Sequence, residues 1–293
     1  MTILERMSAD LGLSENYILS KINRSFIFYS KHLTYNKHGK KREVYEPSFE
    51  LKLFQRWINE NVLSDYPVSA NALAYETGTS IRKNADAHRK SNYILHTDIR
   101  HFFESITFLQ VQQLFEEKYA QEDIETILKI VTRNGSIPTG SLTAPRIANR
   151  IMYEFDSQIV GELSKIQQIV YTRYADDIII SSDTFLDDQI LEITIDLLKK
   201  YGFAYNKKKT YYSNKRSKRN VTGVILNNTD NSLSIGWRKY KDLKLKVYKY
   251  LKYNEGNKES IRGELAYLKS INPNKYLAIK KHYRDLDEWE ELF

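Results

Sequence analysis

The period of the apolar positions changes several times along the chain and outlines a mixed α and β fold. From Ser48 to Asn61, Leu51, Leu53, Phe54, Trp57 and Ile58 fall at near-helical spacing and predict a helix. Residues 1–62 together read as helix, polar basic turn, helix. The turn is Lys37-His-Gly-Lys-Lys-Arg42, followed by Glu43-Val-Tyr-Glu-Pro47. Tyr93-Ile-Leu-His-Thr-Asp98 predicts a short strand ending in an acid. Glu122 to Thr132 carries Ile124, Ile127, Leu128 and Val131 on one helical face, with Gly135 beyond its end. After Pro145, Ile147, Ile151, Phe155 and Ile159 recur at every fourth residue and predict one long amphipathic helix. Ile169 to Ser182 reads as strand, turn, strand, with Ile169-Val-Tyr171 and Ile178-Ile-Ile180 flanking Tyr174-Ala-Asp-Asp177. A helix over about Asp183 to Tyr201 follows, ended by Gly202. From Trp237 onward the pattern is helical and basic, up to an acidic end at Asp285 to Glu291.

Composition narrows the class. The 293 residues include 45 Lys and Arg against 37 Asp and Glu, a net charge of +8. With 41% hydrophobic residues the chain can bury a real core, which excludes a disordered protein. Cysteine is absent, so disulfides, thiolate zinc sites and a cysteine nucleophile are excluded. The first ten residues carry acids and no long apolar stretch, so no signal peptide is expected, nor any membrane helix. Tyrosine is abundant, 22 residues against 12 Phe and 3 Trp. Basic charge with many aromatics suits a surface that pairs phosphates and stacks on bases, although a lysine-rich composition alone gives the same counts.

Three carboxylates stand out. Asp98 ends a strand, and Asp176 and Asp177 sit at the tip of a hairpin between apolar runs. Adjacent aspartates repel, and both lose solvation if the hairpin packs centrally. A bare Asp-Asp pair is ordinarily a solvated turn, but the apolar flanks and the acid-ended strand upstream argue for a cation here. A divalent cation relieves both costs, and Mg²⁺ takes a few carboxylates together with phosphates and water.

At these residues the chain resembles the reverse transcriptases. Tyr171-Thr-Arg-Tyr-Ala-Asp-Asp-Ile-Ile-Ile-Ser-Ser182 resembles their hallmark hairpin. Asp98-Ile-Arg-His-Phe-Phe-Glu-Ser-Ile106 and Ile137-Pro-Thr-Gly-Ser-Leu-Thr-Ala-Pro-Arg-Ile-Ala-Asn149 resemble two upstream motifs. Order and spacing agree over roughly residues 25 to 285. Within the family the chain is most similar to the bacterial retron type. Asn84-Ala-Asp-Ala-His88 fits the retron pattern before the first catalytic strand, and Val221-Thr222-Gly223 fits the retron element after the palm.

The resemblance implies an α+β right-hand polymerase fold. Fingers and N-terminal helices would take residues 1–75, and a palm of antiparallel sheet flanked by helices residues 76–235. A fingers segment would be interleaved at about 107–145, and a helical basic thumb would span 236–293. It implies two Mg²⁺ ions, with Mn²⁺ as a substitute, held by Asp98, Asp176 and Asp177, with the backbone carbonyl of Ile99 as a further ligand. Phe103 resembles the steric gate against a ribose 2′-OH, with Phe102 as a core neighbour. Arg42 resembles the fingers arginine on the incoming triphosphate. Lys209, or its neighbours Lys207 and Lys208, resembles the lysine near the leaving pyrophosphate. Thr139 stands where the family usually has glutamine, before Gly140, which implies altered fidelity or nucleotide affinity. Asn84 and His88 read as structural or RNA-contacting.

Lys207 to Arg219 and Arg238 to Lys252 are rich in cations, with Tyr240, Tyr248, Tyr250 and Tyr253 interleaved. Arg216, Arg219, Lys239, Lys241, Lys244, Lys246 and Lys249 are the expected RNA contacts; the bland reading is a solvated helix face. By resemblance the protein is a bacterial cytoplasmic enzyme that copies a cognate structured noncoding RNA into single-stranded DNA from dNTPs. Priming would come from a guanosine 2′-OH, and a separate effector would act with the enzyme in antiphage defence. Other small bacterial reverse transcriptases (group II intron-like, diversity-generating or abortive-infection types) are the alternative. An RNA-binding scaffold for an effector is another, opposed by the three retained aspartates. A metal nuclease also needs three acids, but Phe103 and the hairpin do not suit it.

Overall fold

The computed structural model describes residues 1–35, 39, 41–286 and 289–293, the side chains of Arg42 and Glu291 excepted. Helices α1 (Ile3–Leu11) and α2 (Glu15–Ile22) each start at a side-chain cap, Thr2 and Ser14. Strands β1 (Tyr29–Tyr35) and β2 (Lys41–Pro47) then pair antiparallel, Tyr29 opposite Pro47 and Tyr35 opposite Lys41. The expected helix, turn, helix over the first 62 residues is therefore corrected to two helices, a hairpin and α3 (Phe49–Asn61). The hairpin hides from a periodicity reading because β1 is exposed at every position after Tyr29 and has no apolar face.

Helix α4 (Ile81–His88) leads into β3 (Tyr93–Asp98), followed by the short α5 (Phe102–Ser105), α6 (Phe108–Glu116) and α7 (Gln121–Val131). The single long helix expected after Pro145 is two: α8 (Ala144–Ile151) and α9 (Tyr153–Ser164), divided where Met152 takes φ −81° and ψ 0°. Ile147, Phe155 and Ile159 are all buried in one core, so the apolar spacing runs through the break unchanged. Strands β4 (Val170–Tyr174) and β5 (Asp177–Ser182) form the expected hairpin. Helix α10 (Asp188–Lys200) starts later than expected, because the Asp187 carboxylate caps it by accepting from the Gln189 N–H. Then come β6 (Tyr211–Asn214), β7 (Arg219–Val221), β8 (Val224–Leu226) and β9 (Leu233–Ser234). The chain closes with α11 (Trp237–Tyr253), α12 (Lys258–Ile271), α13 (Pro273–His282) and α14 (Trp289–Leu292).

The central sheet has the order β4-β5-β3-β6, all antiparallel. Side chains alternate across it. Leu95, Tyr171, Ile178 and Ile180 face one core, shared with α1–α3 and α6–α10. Ile94 and Ile179 face a second, shared with Ala85, the β7–β9 sheet and α11–α14. Helices cover both faces, which is why Ile178-Ile-Ile180 is apolar without alternation. The acids stand at the adjoining ends of β3 and β5 in this doubly covered sheet.

Candidate active site

Register places the acids. Asp98 lies directly opposite Asp177 across β3 and β5, and opposed residues share a face. Ala175 and Asp176 form the two-residue turn between Tyr174 and Asp177, with Ala175 left-handed at φ 58°. The Ile99 N–H donates to the Asp176 carbonyl at 2.9 Å, tying the turn to the end of β3. One carboxylate oxygen from each of Asp98, Asp176 and Asp177 lies within 4.8 Å of the others.

The surroundings leave this charge incompletely matched. Asp98 is 3% exposed, and its carboxylate accepts from Asn206 Nδ2 at 3.0 Å and from the Lys209 ammonium. Burial, then the Asp98 charge, pushes Asp176 up to about 6. Burial, then the charges of Asp176 and Asp98, pushes Asp177 up to about 7. Burial works to lower the Lys209 ammonium, but its bond to Asp98 and the surrounding acids outweigh that and hold it raised. Three hard oxygen donors crowded together, with one lysine in reach, fit a divalent hard cation.

A family model described as Reverse transcriptase (RNA-dependent DNA polymerase) matches residues 34–226, more than half of the chain. The chain belongs to the reverse transcriptase family. It is 32% identical over 276 residues to the retron Ec73 reverse transcriptase of Escherichia coli, covering 86% of each chain. It is 29% identical over 249 residues to the retron Ec86 reverse transcriptase of the same species, covering 84% of this chain and 77% of the relative. It is thus a retron-type reverse transcriptase, an RNA-directed DNA polymerase. Telomerase from Candida albicans, solved with a TWJ fragment of telomeric RNA, shares the fold at a TM-score of 0.50 and 12% identity, over 91% of this chain. This chain spans 58% of that telomerase. The likeness agrees with the expected right-hand architecture.

In the retron-type enzyme the other expected residues are distributed as follows. Phe102 is buried, and Phe103 is half-buried with its ring centroid 5.3 Å from Phe102 and 6.3 Å from Tyr75. Of the three consecutive lysines, Lys209 is the one that reaches Asp98, while Lys207 and Lys208 are exposed. The Thr139 hydroxyl donates to Glu104 Oε1 at 3.1 Å, and its carbonyl accepts from the Tyr45 N–H at 2.8 Å. Gly140 follows at φ +108°, where a Cβ would come within 2.7 Å of the Tyr45 carbonyl oxygen. Only glycine lets the β1–β2 hairpin approach this loop so closely. The side chain of Arg42 lies outside the described residues; its backbone belongs to β2, opposite Thr34.

The two retron signatures meet in space. His88 Nε2 lies 2.7 Å from Thr172 Oγ1, and Nδ1 lies 2.7 Å from Ser181 Oγ. Thr172 donates its only hydroxyl proton to Asn84 Oδ1 at 2.5 Å. Ser181 likewise donates its hydroxyl proton, to Ser91 Oγ at 2.9 Å, so both hydroxyls that flank the ring have acceptors of their own. Asn84 Nδ2 donates in turn to Thr222 Oγ1 at 2.5 Å. Asn84 and His88 thus join α4, the central sheet and the Val221–Gly223 turn, while Val221 enters the second core.

One expected RNA contact is corrected. Arg219 has no exposed surface, and its guanidinium donates to the carbonyls of Arg89, Ser91 and Asn227 and to Asn228 Oδ1. It is a structural cross-link between α4, β3 and the β7–β8 hairpin; sequence registers its charge but not its burial. Arg216, Lys239, Lys241, Lys246 and Lys249 are exposed, and Lys244 is half-buried. Lys246 pairs with Glu264 at 2.5 Å and Lys249 with Glu255 at 3.6 Å. Lys241 lies over Trp237 and Lys244 over Tyr283. Asn206, which holds Asp98, was not anticipated; its only sequence signal is its place ahead of the lysines. No described helix is long and apolar enough to cross a membrane.

Proposed function

We propose that Asp98, Asp176 and Asp177 are the catalytic carboxylates, and that the enzyme copies a cognate structured noncoding RNA into single-stranded DNA from dNTPs. Priming from a guanosine 2′-OH would leave the DNA branched from the RNA, and a separate effector would use the complex in antiphage defence. The supporting observation is the convergence, within 4.8 Å, of carboxylate oxygens from the paired Asp98 and Asp177 and from Asp176 in the turn beside them.

Asp98 and Asp176 would hold two divalent ions, Mg²⁺ or Mn²⁺, with Asp177 the weaker ligand and the Ile99 carbonyl a further donor. Such ions supply Lewis-acid stabilisation to the attacking and leaving oxygens of an in-line phosphoryl displacement. Asn206 keeps the Asp98 carboxylate oriented. Lys209 brings a cation to the same carboxylate, near enough to offset negative charge developing on pyrophosphate. Phe103 would crowd a ribose 2′-OH. Thr139 and Gly140, pressed against the β1–β2 hairpin, would line the nucleotide pocket, with Arg42 on the triphosphate. Arg216, Lys239, Lys241, Lys244, Lys246 and Lys249 would track RNA phosphates.

Asp176→Asn tests the central assignment. It should abolish DNA synthesis with Mg²⁺ while leaving RNA binding intact, since this group would hold metal and not phosphate. A near wild-type rate would remove the three aspartates from the chemistry. RNase treatment of the wild-type product should leave a ribonucleotide joined through its 2′ oxygen; a DNA 5′ end free of RNA would exclude branched priming.

A further inference from the structure

Arg173 stands just before the acidic turn, fully buried, and none of the residues assigned to chemistry needs its charge. Alternation along β4 puts Tyr171 and Arg173 on the face that packs against α9, where Asp156 is also 0% exposed. The guanidinium grips that carboxylate with two hydrogen bonds, Nε to Oδ1 at 2.9 Å and Nη2 to Oδ2 at 2.8 Å. The Tyr171 hydroxyl donates to the same Oδ1 at 2.6 Å. A buried ion pair is a poor way to gain stability compared with apolar packing, and its best-attested use is to fix a geometry.

The rest of the guanidinium shows which geometry. Nη1 turns to the Ala175 carbonyl, 3.2 Å away, and to Asn149 Oδ1, also at 3.2 Å. The Arg173 backbone is held on both sides: its N–H donates to the Asn71 carbonyl and its carbonyl accepts from the Leu73 N–H, both at 2.8 Å. The donor therefore comes from a fixed place. Ala175 is left-handed, a conformation that alanine resists by about a factor of ten in equilibrium and glycine does not. On the far side of the turn, the Ile99 N–H fixes the Asp176 carbonyl. Asp177 is set by strand pairing with Asp98, whereas Asp176 is held on one side by the Ile99 bond to its carbonyl and on the other by the left-handed backbone of Ala175.

We propose that the Arg173–Asp156 pair is a positioning device that holds Ala175 left-handed and thereby sets where Asp176 stands relative to Asp98, an inference that rests on the metal-site reading of the three aspartates. Arg173 acts through the turn and touches no substrate.

Arg173→Lys keeps a cation opposite Asp156 but loses the fork that also reaches Ala175. On a primed generic template it should lower kcat about tenfold, with KM for dNTP and template within about twofold. Mn²⁺ binding, read by electron paramagnetic resonance without nucleic acid, should weaken severalfold. Adding Ala175→Gly should return kcat and Mn²⁺ affinity to within about threefold of wild type, because glycine takes the left-handed region unaided. It should not return the lost Tm. A pair that serves stability alone would give the opposite pattern, with kcat following Tm and no rescue by glycine, and either result overturns the proposal. If Arg173→Lys melts below the assay temperature, Tyr171→Phe removes one donor from Asp156 and leaves the pair. It should cost about threefold in kcat, rescued by the same glycine; unchanged kcat there also overturns the proposal. An active Asp176→Asn protein would instead remove the metal-site reading itself.

Discussion

At the scale of single residues, identity and burial carry different information. Phe102 and Phe103 are adjacent and chemically identical, yet one is buried and the other half-buried between Phe102 and Tyr75. Only the second has a free surface to offer an incoming sugar. Phe103→Ala should therefore admit ribonucleotides, seen as a rise in rNTP over dNTP incorporation by primer extension, with DNA synthesis retained. Unchanged selectivity would place the gate elsewhere. Sequence makes the three aspartates legible because acids interrupting apolar strands are costly without a partner. It cannot reveal that Arg219 is buried and Arg216 exposed, because both occupy the same run of cations. Nor can it show Arg173 reaching Asp156, since that contact depends on how α9 packs against β4.

At the scale of elements, a strand is legible only where it is long enough to show a pattern, and β6 to β9, two to four residues each, are too short although β8 buries Val224 and Leu226. β3, β4 and β5 are legible through their apolar residues, whereas the exposed β1 offers no period to read. The junction of α4 with the sheet makes a prediction about pH. Burial holds His88 neutral, its pKa lowered to about 3, and likewise lowers His96 to about 4. In the unfolded chain both would charge below about 6.5, so the unfolded state binds more protons there and stability falls with falling pH. Each histidine contributes a slope of ~1.4 kcal/mol per pH unit once the pH is well below that value. Asp176 and Asp177 act in the opposite sense. Raised to about 6 and about 7, they bind protons in the native state first, so their strain is relieved as pH falls. In metal-free protein the two pairs should nearly cancel, giving a shallow stability profile from about pH 6 to about pH 4.5. The Asp176→Asn/Asp177→Asn double variant should expose the histidine slope, ~2–3 kcal/mol lost per unit in urea titrations. Identical profiles for the two proteins would contradict the opposing pairs.

At the scale of the whole molecule, a net charge of +8 is spread unevenly, and α11 carries much of the basic excess. The helix buries Leu243, Val247, Tyr250 and Leu251 in the second core and turns Arg238, Lys239, Lys241, Lys246, Lys249 and Lys252 outward. Read alone, the helix holds one acid, Asp242, against this row of cations; folded, it gains Glu264 beside Lys246, and Glu255 closes on Lys249. Those two lysines have protein partners to exchange before they neutralise a phosphate. Lys239 and Lys241 are exposed without a carboxylate partner among the described ion pairs, and Lys244 lies over the Tyr283 ring. Reversing Lys239, Lys241 and Lys244 to Glu should make the slope of log K against log salt shallower by roughly two to three. Reversing Lys246 and Lys249 should change it by roughly one or less, because part of the counterion release is already spent internally. Binding should weaken broadly over RNA sequences in both cases, since phosphate contacts position the strand and do not read its bases. Filter binding over a salt series, beside synthesis from the cognate RNA and from a generic primed template, separates the roles. An α11 adapted to one structured RNA loses cognate synthesis more than generic synthesis at saturating template. Equal losses would make α11 a general clamp, and a salt slope unmoved by the first triple variant would take the RNA off this face.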